Sequence, residues 1–390
     1  MRSALAVVLA LVLVALAALP LAVRADEMPP AYDWGVVYFM SYDNDLERCG
    51  APIIEGIAQG TVGDRIVAAV QADFTDKGGM RRIVLKKGGR EETTIDSEDS
   101  ADPERAFEYL RWFVKTFPCK RYVVTFLNHG GTLDAMCFDE KPATPRRNWM
   151  SGQVVGEKLR ALKKEMPGRF ELLFLQQCGR GSLENLYSFR GTADFIMSSP
   201  VPVGAPNTYY TAVHRWLAEN PEATGDRIAA KIAAEDDHYT IYTCLRTSAL
   251  DELPKRLDAA IAPFLKPKEL KPAARQRVIH PVGEPIVDAR AYLEALAAAN
   301  ELDAAPVAAF FRWVEKDLFT LVKLHEQKGR SARTLCGLSI YAPRTSAEAG
   351  RYRKLDIYSG TRLPALWEKV LAGAAEPAGD APPRRQPRGF

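Results

Sequence analysis

The sequence predicts an α/β protein: a mainly parallel sheet covered by helices, with a helical addition towards the C-terminus. Short apolar runs bounded by turn residues recur at Gly35–Met40, Arg65–Gln71, Arg81–Lys86, Arg121–Leu127, Glu171–Gln176 and Ala193–Ser198. Helical patterns lie between several of them, and strands alternating with helices imply parallel neighbours joined by crossovers. The central runs, Tyr122–Leu127 and Leu172–Leu175, are near-continuously apolar, as strands buried on both faces are.

Each helix carries its own punctuation. Asp102-Pro103 supplies an N-cap and a first-turn proline, after which Phe107, Leu110, Phe113, Val114 and Phe117 recur at helical spacing until Pro118 stops the run. Val155, Leu159, Leu162 and Met166 line the face of a second helix, closed by Pro167-Gly168. After about residue 250 the composition shifts to Lys, Ala, Leu and Pro. Leu253, Leu257, Ile261 and Phe264, then Val307, Phe311, Val314, Leu318 and Leu321, keep a helical period. A late strand-like piece, Leu335–Tyr341, implies that this half packs back onto the first. Ala372–Phe390 is rich in Ala, Pro, Gly and Arg and is expected to be disordered. The expected organisation is a leader at 1–25, a core domain at 26–250, a mostly helical region at 251–371 and a tail at 372–390.

Met1–Ala25 has the pattern of a secretory signal peptide: Arg2, an unbroken apolar stretch from Ala4 to Ala18, then Pro20 and Val23-Arg24-Ala25. The other reading, a retained membrane anchor, needs about 20 apolar residues, whereas Pro20 and Arg24 interrupt early and Asp26-Glu27 follow. An exported, periplasmic or extracellular protein is expected, with no stable membrane association once the leader is removed. The 52 basic and 49 acidic side chains give a formal charge of +3. Losing Arg2 and Arg24 with the leader brings that near neutral, so nucleic acid is not an expected partner. Of the six cysteines, at 49, 119, 137, 178, 244 and 336, none has the spacing or histidine neighbour of a zinc site. Export permits disulfides, and the sequence assigns no pairing. A monomer without cofactor or metal is expected; Asp43 and Asp45, two acids in one loop, are the only hint of calcium.

Among five histidines, His129 sits at the carboxyl end of a buried strand, in Val123-Val124-Thr125-Phe126-Leu127-Asn128-His129-Gly130-Gly131. Open α/β sheets place their sites there, and the glycines let the chain turn sharply and aim amide N–H groups at a developing oxyanion. Cys178 occupies the same kind of position one strand on, in Leu175-Gln176-Gln177-Cys178-Gly179. A thiol reacts as thiolate, and an imidazole beside it can take its proton, so this pair suits acyl transfer. The alternative is a small buried thiol and a hydrogen-bonded loop histidine. The histidines at 214, 238, 280 and 325 lack this setting and are expected in solvated, packing or turn roles.

Asp33-Trp34-Gly35-Val36-Val37-Tyr38-Phe39-Met40 followed by Asp43-Asn44-Asp45-Leu46-Glu47 resembles the opening strand and loop of clostripain-like cysteine peptidases. The His-Gly and Cys strand ends follow in that family's order. Ala193–Pro200, Leu250–Pro254 and Gly337–Pro343 are similar to further family segments, so the resemblance spans about Asp33 to Leu371. It implies a caspase-like sheet in which Cys178 attacks the scissile carbonyl of a peptide or protein, His129 protonates the leaving amine, and the backbone N–H groups of Gly130 and Cys178 hold the oxyanion.

The chain departs from the family in its pocket. Family members commonly carry an acid two positions before the nucleophile to receive a basic P1 side chain, and here Gln176 stands there. A neutral amide offers hydrogen bonds and no ion pair, which leaves the P1 preference open. Asn207, in a loop that lacks the family's acid and tryptophan, is expected in the pocket wall. The polar loop Asp139–Asn148 contains Arg146-Arg147, where some relatives are cut on activation; a plain surface loop is the alternative. Two functions therefore compete: an exported cysteine endopeptidase, or a catalytically weak or inactive relative that binds peptides or envelope components.

Overall fold

The computed structural model describes residues 31–75, 78–97, 99–145, 147–273, 283–325 and 335–374; the leader, Arg146, His280 and all but the first residues of the tail lie outside them. In chain order the strands are β1 (Tyr32–Ser41), β2 (Ile66–Asp73), β3 (Met80–Lys86), β4 (Gly89–Ile95), β5 (Cys119–Leu127), β6 (Ala135–Phe138), β7 (Trp149–Ser151), β8 (Arg169–Gln176), β9 (Phe195–Ser198), β10 (Ile241–Arg246), β11 (Ile286–Asp288), β12 (Phe319–Leu324) and β13 (Ser339–Tyr341). Nine of them form one sheet in the order β12-β10-β9-β8-β5-β1-β2-β3-β4. The middle of that sheet, β2-β1-β5-β8-β9, is parallel throughout. Both flanks are antiparallel.

Alternation along β1 explains the layering, because successive side chains of a strand point to opposite faces. Val37 and Phe39 pack with Tyr109, Leu110 and Phe113 of helix α2 (Pro103–Thr116) and Val155, Leu159 and Leu162 of α3 (Gly152–Lys163). Trp34, Val36, Tyr38 and Met40 pack on the other face with Ile53, Ile54 and Ile57 of α1 (Glu47–Gly60) and with two helices from beyond β9, Tyr210–Glu219 and Gly225–Glu235. The α2 cap is as expected: the Asp102 carboxylate accepts from Glu104 N–H and Pro103 opens the first turn.

The region after residue 250 is not a separate module. Leu253, Leu257, Tyr292, Leu296, Val307, Phe311 and Leu366 belong to the same core as α2 and α3. Here the helical period misleads over its last step. The helix Ala305–Trp313 runs into a wide turn at Val314–Leu318, and Leu321 then lies in β12, opposite Cys244 of β10. Without β12, β10 would expose an unpaired row of N–H and C=O groups, and pairing that edge outweighs one more helical turn. The expected strand at Leu335–Tyr341 shortens to β13, paired with β11. Among the described residues no helix is long and apolar enough to cross a membrane, and all six cysteines are free thiols.

His214 is fully buried, stacked on Tyr38, with its ring nitrogens 2.8 Å from Tyr38 Oη and 2.9 Å from Thr61 Oγ1. Burial lowers its pKa to about 3, below the roughly 6.5 of an exposed histidine. The unfolded chain therefore binds the proton more tightly. The stability that neutral His214 contributes is fully present above about pH 6.5 and is lost progressively as pH falls towards 3. Glu184 acts in the opposite direction: burial raises it to about 7, so its contribution is present at acid pH and is lost as pH rises through 7. Denaturant unfolding of His214→Gln between pH 7 and 4 is expected to show a flatter acid limb than the native sequence; parallel curves would remove His214 as its cause.

Candidate active site

Register places His129 and Cys178 at equivalent positions beyond the same end of two adjacent strands. In the parallel β5–β8 pair Leu127 lies opposite Gln176, and each candidate stands two residues further on at the same end of adjacent strands. Gly179 follows Cys178 with φ +70°, the left-handed turn that glycine makes without strain. Gly130 lies against the Cys178 carbonyl so closely that a Cβ there would sit 1.9 Å from its oxygen.

The thiol is packed against the segment after β9. Cys178 Sγ lies 3.5 Å from Val203 O, to which it donates, and accepts from Val203 N at 3.3 Å. Burial pushes the thiol's pKa up, while the N–H groups of Val203, Gly130 and Cys178 itself and the charge of Arg180 act in the other direction. Donors that favour a thiolate in this position also suit a developing oxyanion.

The imidazole has its own partner, 84 residues away in sequence. Nε2 of His129 is 2.7 Å from Oδ1 of Asp45, which comes from the loop after β1. That contact leaves Nδ1 as the ring nitrogen available for proton transfer. Sequence reasoning weighed Asp45 only with Asp43 as a calcium motif, and the two carboxylates face different partners. Asp43 is buried, with Lys141 Nζ 3.9 Å away. Among the described residues, the group with metal-ligand spacing is Asp236, Asp237 and His238, without either of them.

Gln176 and Asn207 do meet, in a closed hydrogen-bond network. Gln176 Oε1 accepts from Tyr209 Oη at 2.6 Å, and its Nε2 donates to Tyr210 Oη at 2.9 Å and to Asn207 Oδ1. Asn207 Nδ2 donates in turn to Asp236 Oδ2 at 2.7 Å, an oxygen that also accepts from Tyr242 Oη at 2.8 Å. Both amides are thus spent on internal partners, and the acid of this region is Asp236, a buried residue with no local sequence signal. In the loop between β6 and β7, Arg147 is held by Asp99 at 2.5 Å and Asp102 at 3.3 Å. Glu184 and Asp194 serve structure: the first accepts from Tyr341 N and Tyr358 Oη, the second pairs with Arg169.

The sequence model of the clostripain family matches residues 38–292, well over half of the chain and inclusive of both strand ends. The chain belongs to the clostripain family. Solved clostripain-family structures share the fold. An inactive zymogen C11 protease from Parabacteroides distasonis superposes with a TM-score of 0.65 at 19% identity, over 86% of this chain and 99% of that one. A secreted C11 cysteine protease from Bacteroides thetaiotaomicron, in complex with an irreversible peptide inhibitor, gives 0.63 at 16% identity, over 84% and 99%. Among curated proteins none matches the chain. Clostripain-family membership carries the caspase-like α/β fold and the cysteine-peptidase class; at these identities the structural likeness adds nothing about substrate.

Proposed function

We propose that this chain is an exported cysteine endopeptidase in which Cys178 is the nucleophile, His129 its acid and base, and the N–H groups of Gly130 and Cys178 the oxyanion hole. The observation that carries this reading is the common register of the two strand ends beyond Leu127 and Gln176. Sγ attacks the scissile carbonyl carbon; as the C–S bond forms, the carbonyl π electrons move to oxygen, and the thiol proton passes to His129 Nδ1. The imidazolium gives that proton to the amine as the C–N bond breaks. Water, deprotonated by His129, then attacks the thioester, releases the carboxylic acid and restores the thiol.

Asp45 holds the ring through Nε2 and offsets the imidazolium charge. Both side chains are about one-third exposed, 30% for His129 and 33% for Asp45, so water competes with the pair. Asp45→Asn is expected to lower kcat by about 10- to 100-fold with little change in KM, a smaller loss than for a fully buried orienting acid. An unchanged kcat would remove Asp45 from the mechanism.

In the P1 pocket the amides of Gln176 and Asn207 replace a directly presented acid. An Arg or Lys side chain has to break their network before reaching Asp236, so neutral P1 residues are favoured. Self-cleavage at Arg146-Arg147 would need a basic P1 preference and runs against this pocket; Arg147 is also held by Asp99 and Asp102, and a plain surface loop is the better reading of this segment. A positional-scanning library of fluorogenic peptides, run with and without calcium or prior nicking of this loop, tests the whole reading.

The second reading, a weak or inactive peptide-binding relative, is favoured by the engagement of Cys178 Sγ with the Val203 main chain and by the neutral Gln176 where the family commonly carries an acid. No hydrolysis by folded, reduced protein under any of those conditions would select it.

A further inference from the structure

Arg180 is wholly buried two residues after Cys178, where a guanidinium needs a partner for every N–H. It finds them all on the main chain of the two catalytic turns. Nε donates to Cys178 O at 3.3 Å. Nη1 donates to Leu133 O at 3.2 Å and Ala135 O at 2.8 Å, and Nη2 to Gly131 O at 3.1 Å and Thr132 O at 2.9 Å. Gly131 N–H closes onto Ala135 O at 2.9 Å, so the segment after His129 wraps its carbonyl oxygens around one cation.

The Cys178 carbonyl is the junction of this arrangement. Arg180 Nε donates to it, and Gly130 packs on the same oxygen. The separation and aim of the Gly130 and Cys178 N–H groups are therefore set by one side chain. Five planar donors in a fixed fork suit converging carbonyls, whereas an ammonium offers three donors on a flexible stem. The charge also acts on the thiol, favouring thiolate, and is balanced at longer range by Glu284 and Asp134.

We propose that Arg180 is the positioning residue of this site: it fixes the oxyanion-hole main chain to the nucleophile's turn and sets a permanent positive charge beside the thiolate. This rests on the peptidase reading for its catalytic consequence but not for its electrostatic one.

The test uses purified Arg180→Gln and Arg180→Lys beside the native sequence. Folding is followed by near-ultraviolet circular dichroism, and the pH midpoint of Cys178 alkylation by iodoacetamide is read by mass spectrometry of its peptide. kcat and KM are measured on the best library substrate. Arg180→Gln is expected to raise the alkylation midpoint by about one pH unit and to lower kcat roughly 10- to 1000-fold with KM little changed. Arg180→Lys is expected to recover the midpoint but not kcat. Folded Arg180→Gln with native midpoint and kcat would overturn the proposal, as would Arg180→Lys with native kcat. Failure of both variants to fold would overturn it in favour of a purely structural role. If the native protein hydrolyses nothing, the peptidase reading fails, and the alkylation midpoints still decide whether Arg180 sets the thiolate.

Discussion

Cys178→Ala is expected to abolish peptide hydrolysis and to leave the fold intact. Loss of a covalent nucleophile removes the acyl-enzyme route altogether, and the remaining oxyanion donors can assist only slow, direct attack of water on the bound carbonyl; a fall of at least about 10⁴-fold in kcat is expected. Stability changes by about 1 kcal/mol or less, the usual scale for a small truncation outside a packed core. The thiol's polar contacts are with main-chain groups, those of Val203, Gly130 and Cys178 itself, and the Cys178 carbonyl, which Arg180 and Gly130 hold, is untouched by the substitution. Circular dichroism and fluorogenic hydrolysis on the same preparation check both halves. Activity that survives in the variant would mean that another nucleophile or a contaminant is responsible.

Gly130→Ala is expected to cost both activity and stability. The added methyl would meet the Cys178 carbonyl oxygen at 1.9 Å and its carbon at 2.9 Å. Neither atom belongs to a flexible side chain, so the two turns must separate. Movement of even about 1 Å takes an oxyanion donor out of range, which is worth roughly 10²- to 10³-fold in kcat. The same separation strains the bonds from Arg180, so a destabilisation of about 1–3 kcal/mol accompanies it. Steady-state kinetics with thermal unfolding distinguishes this from a distant packing defect: kcat falls while KM stays near the native value. An active, stable Gly130→Ala would mean that the turns are not locked together and that the hole lies elsewhere.

Much of the fold was legible locally. Four of the six apolar runs lie wholly within strands of the main sheet, while Arg65–Gln71 begins one residue ahead of β2 and Ala193–Ser198 two residues ahead of β9; the helix before Pro118 forms where its cap and spacing place it, and the second ends at Lys163, short of Met166 and Pro167-Gly168. Those signals are local because hydrophobic alternation, N-caps, prolines and glycines act within a few residues. The edge was less legible: Gly89–Ile95 is exposed nearly throughout, so it has no apolar run to recognise. Leu321 followed a helical period because an edge strand with one wet face is specified mainly by the strand it joins.

The sequence by itself determined the parts of this site that local chemistry can mark: a histidine and a cysteine, each leaving a buried strand into glycine, and Gln176 just before the nucleophile. Tertiary structure alone decided that β5 and β8 are neighbours in the register that aligns them. It also decided that Asp45 reaches His129 from 84 residues away, that Asp236 backs Asn207, and that Arg180 gathers the carbonyls of both turns. Sheet order and side-chain pairing across it are set by burial of the whole core and by satisfaction of buried polar groups. Neither leaves a periodic mark on the chain, so the partners of the two strand-end residues become visible only once the sheet is assembled.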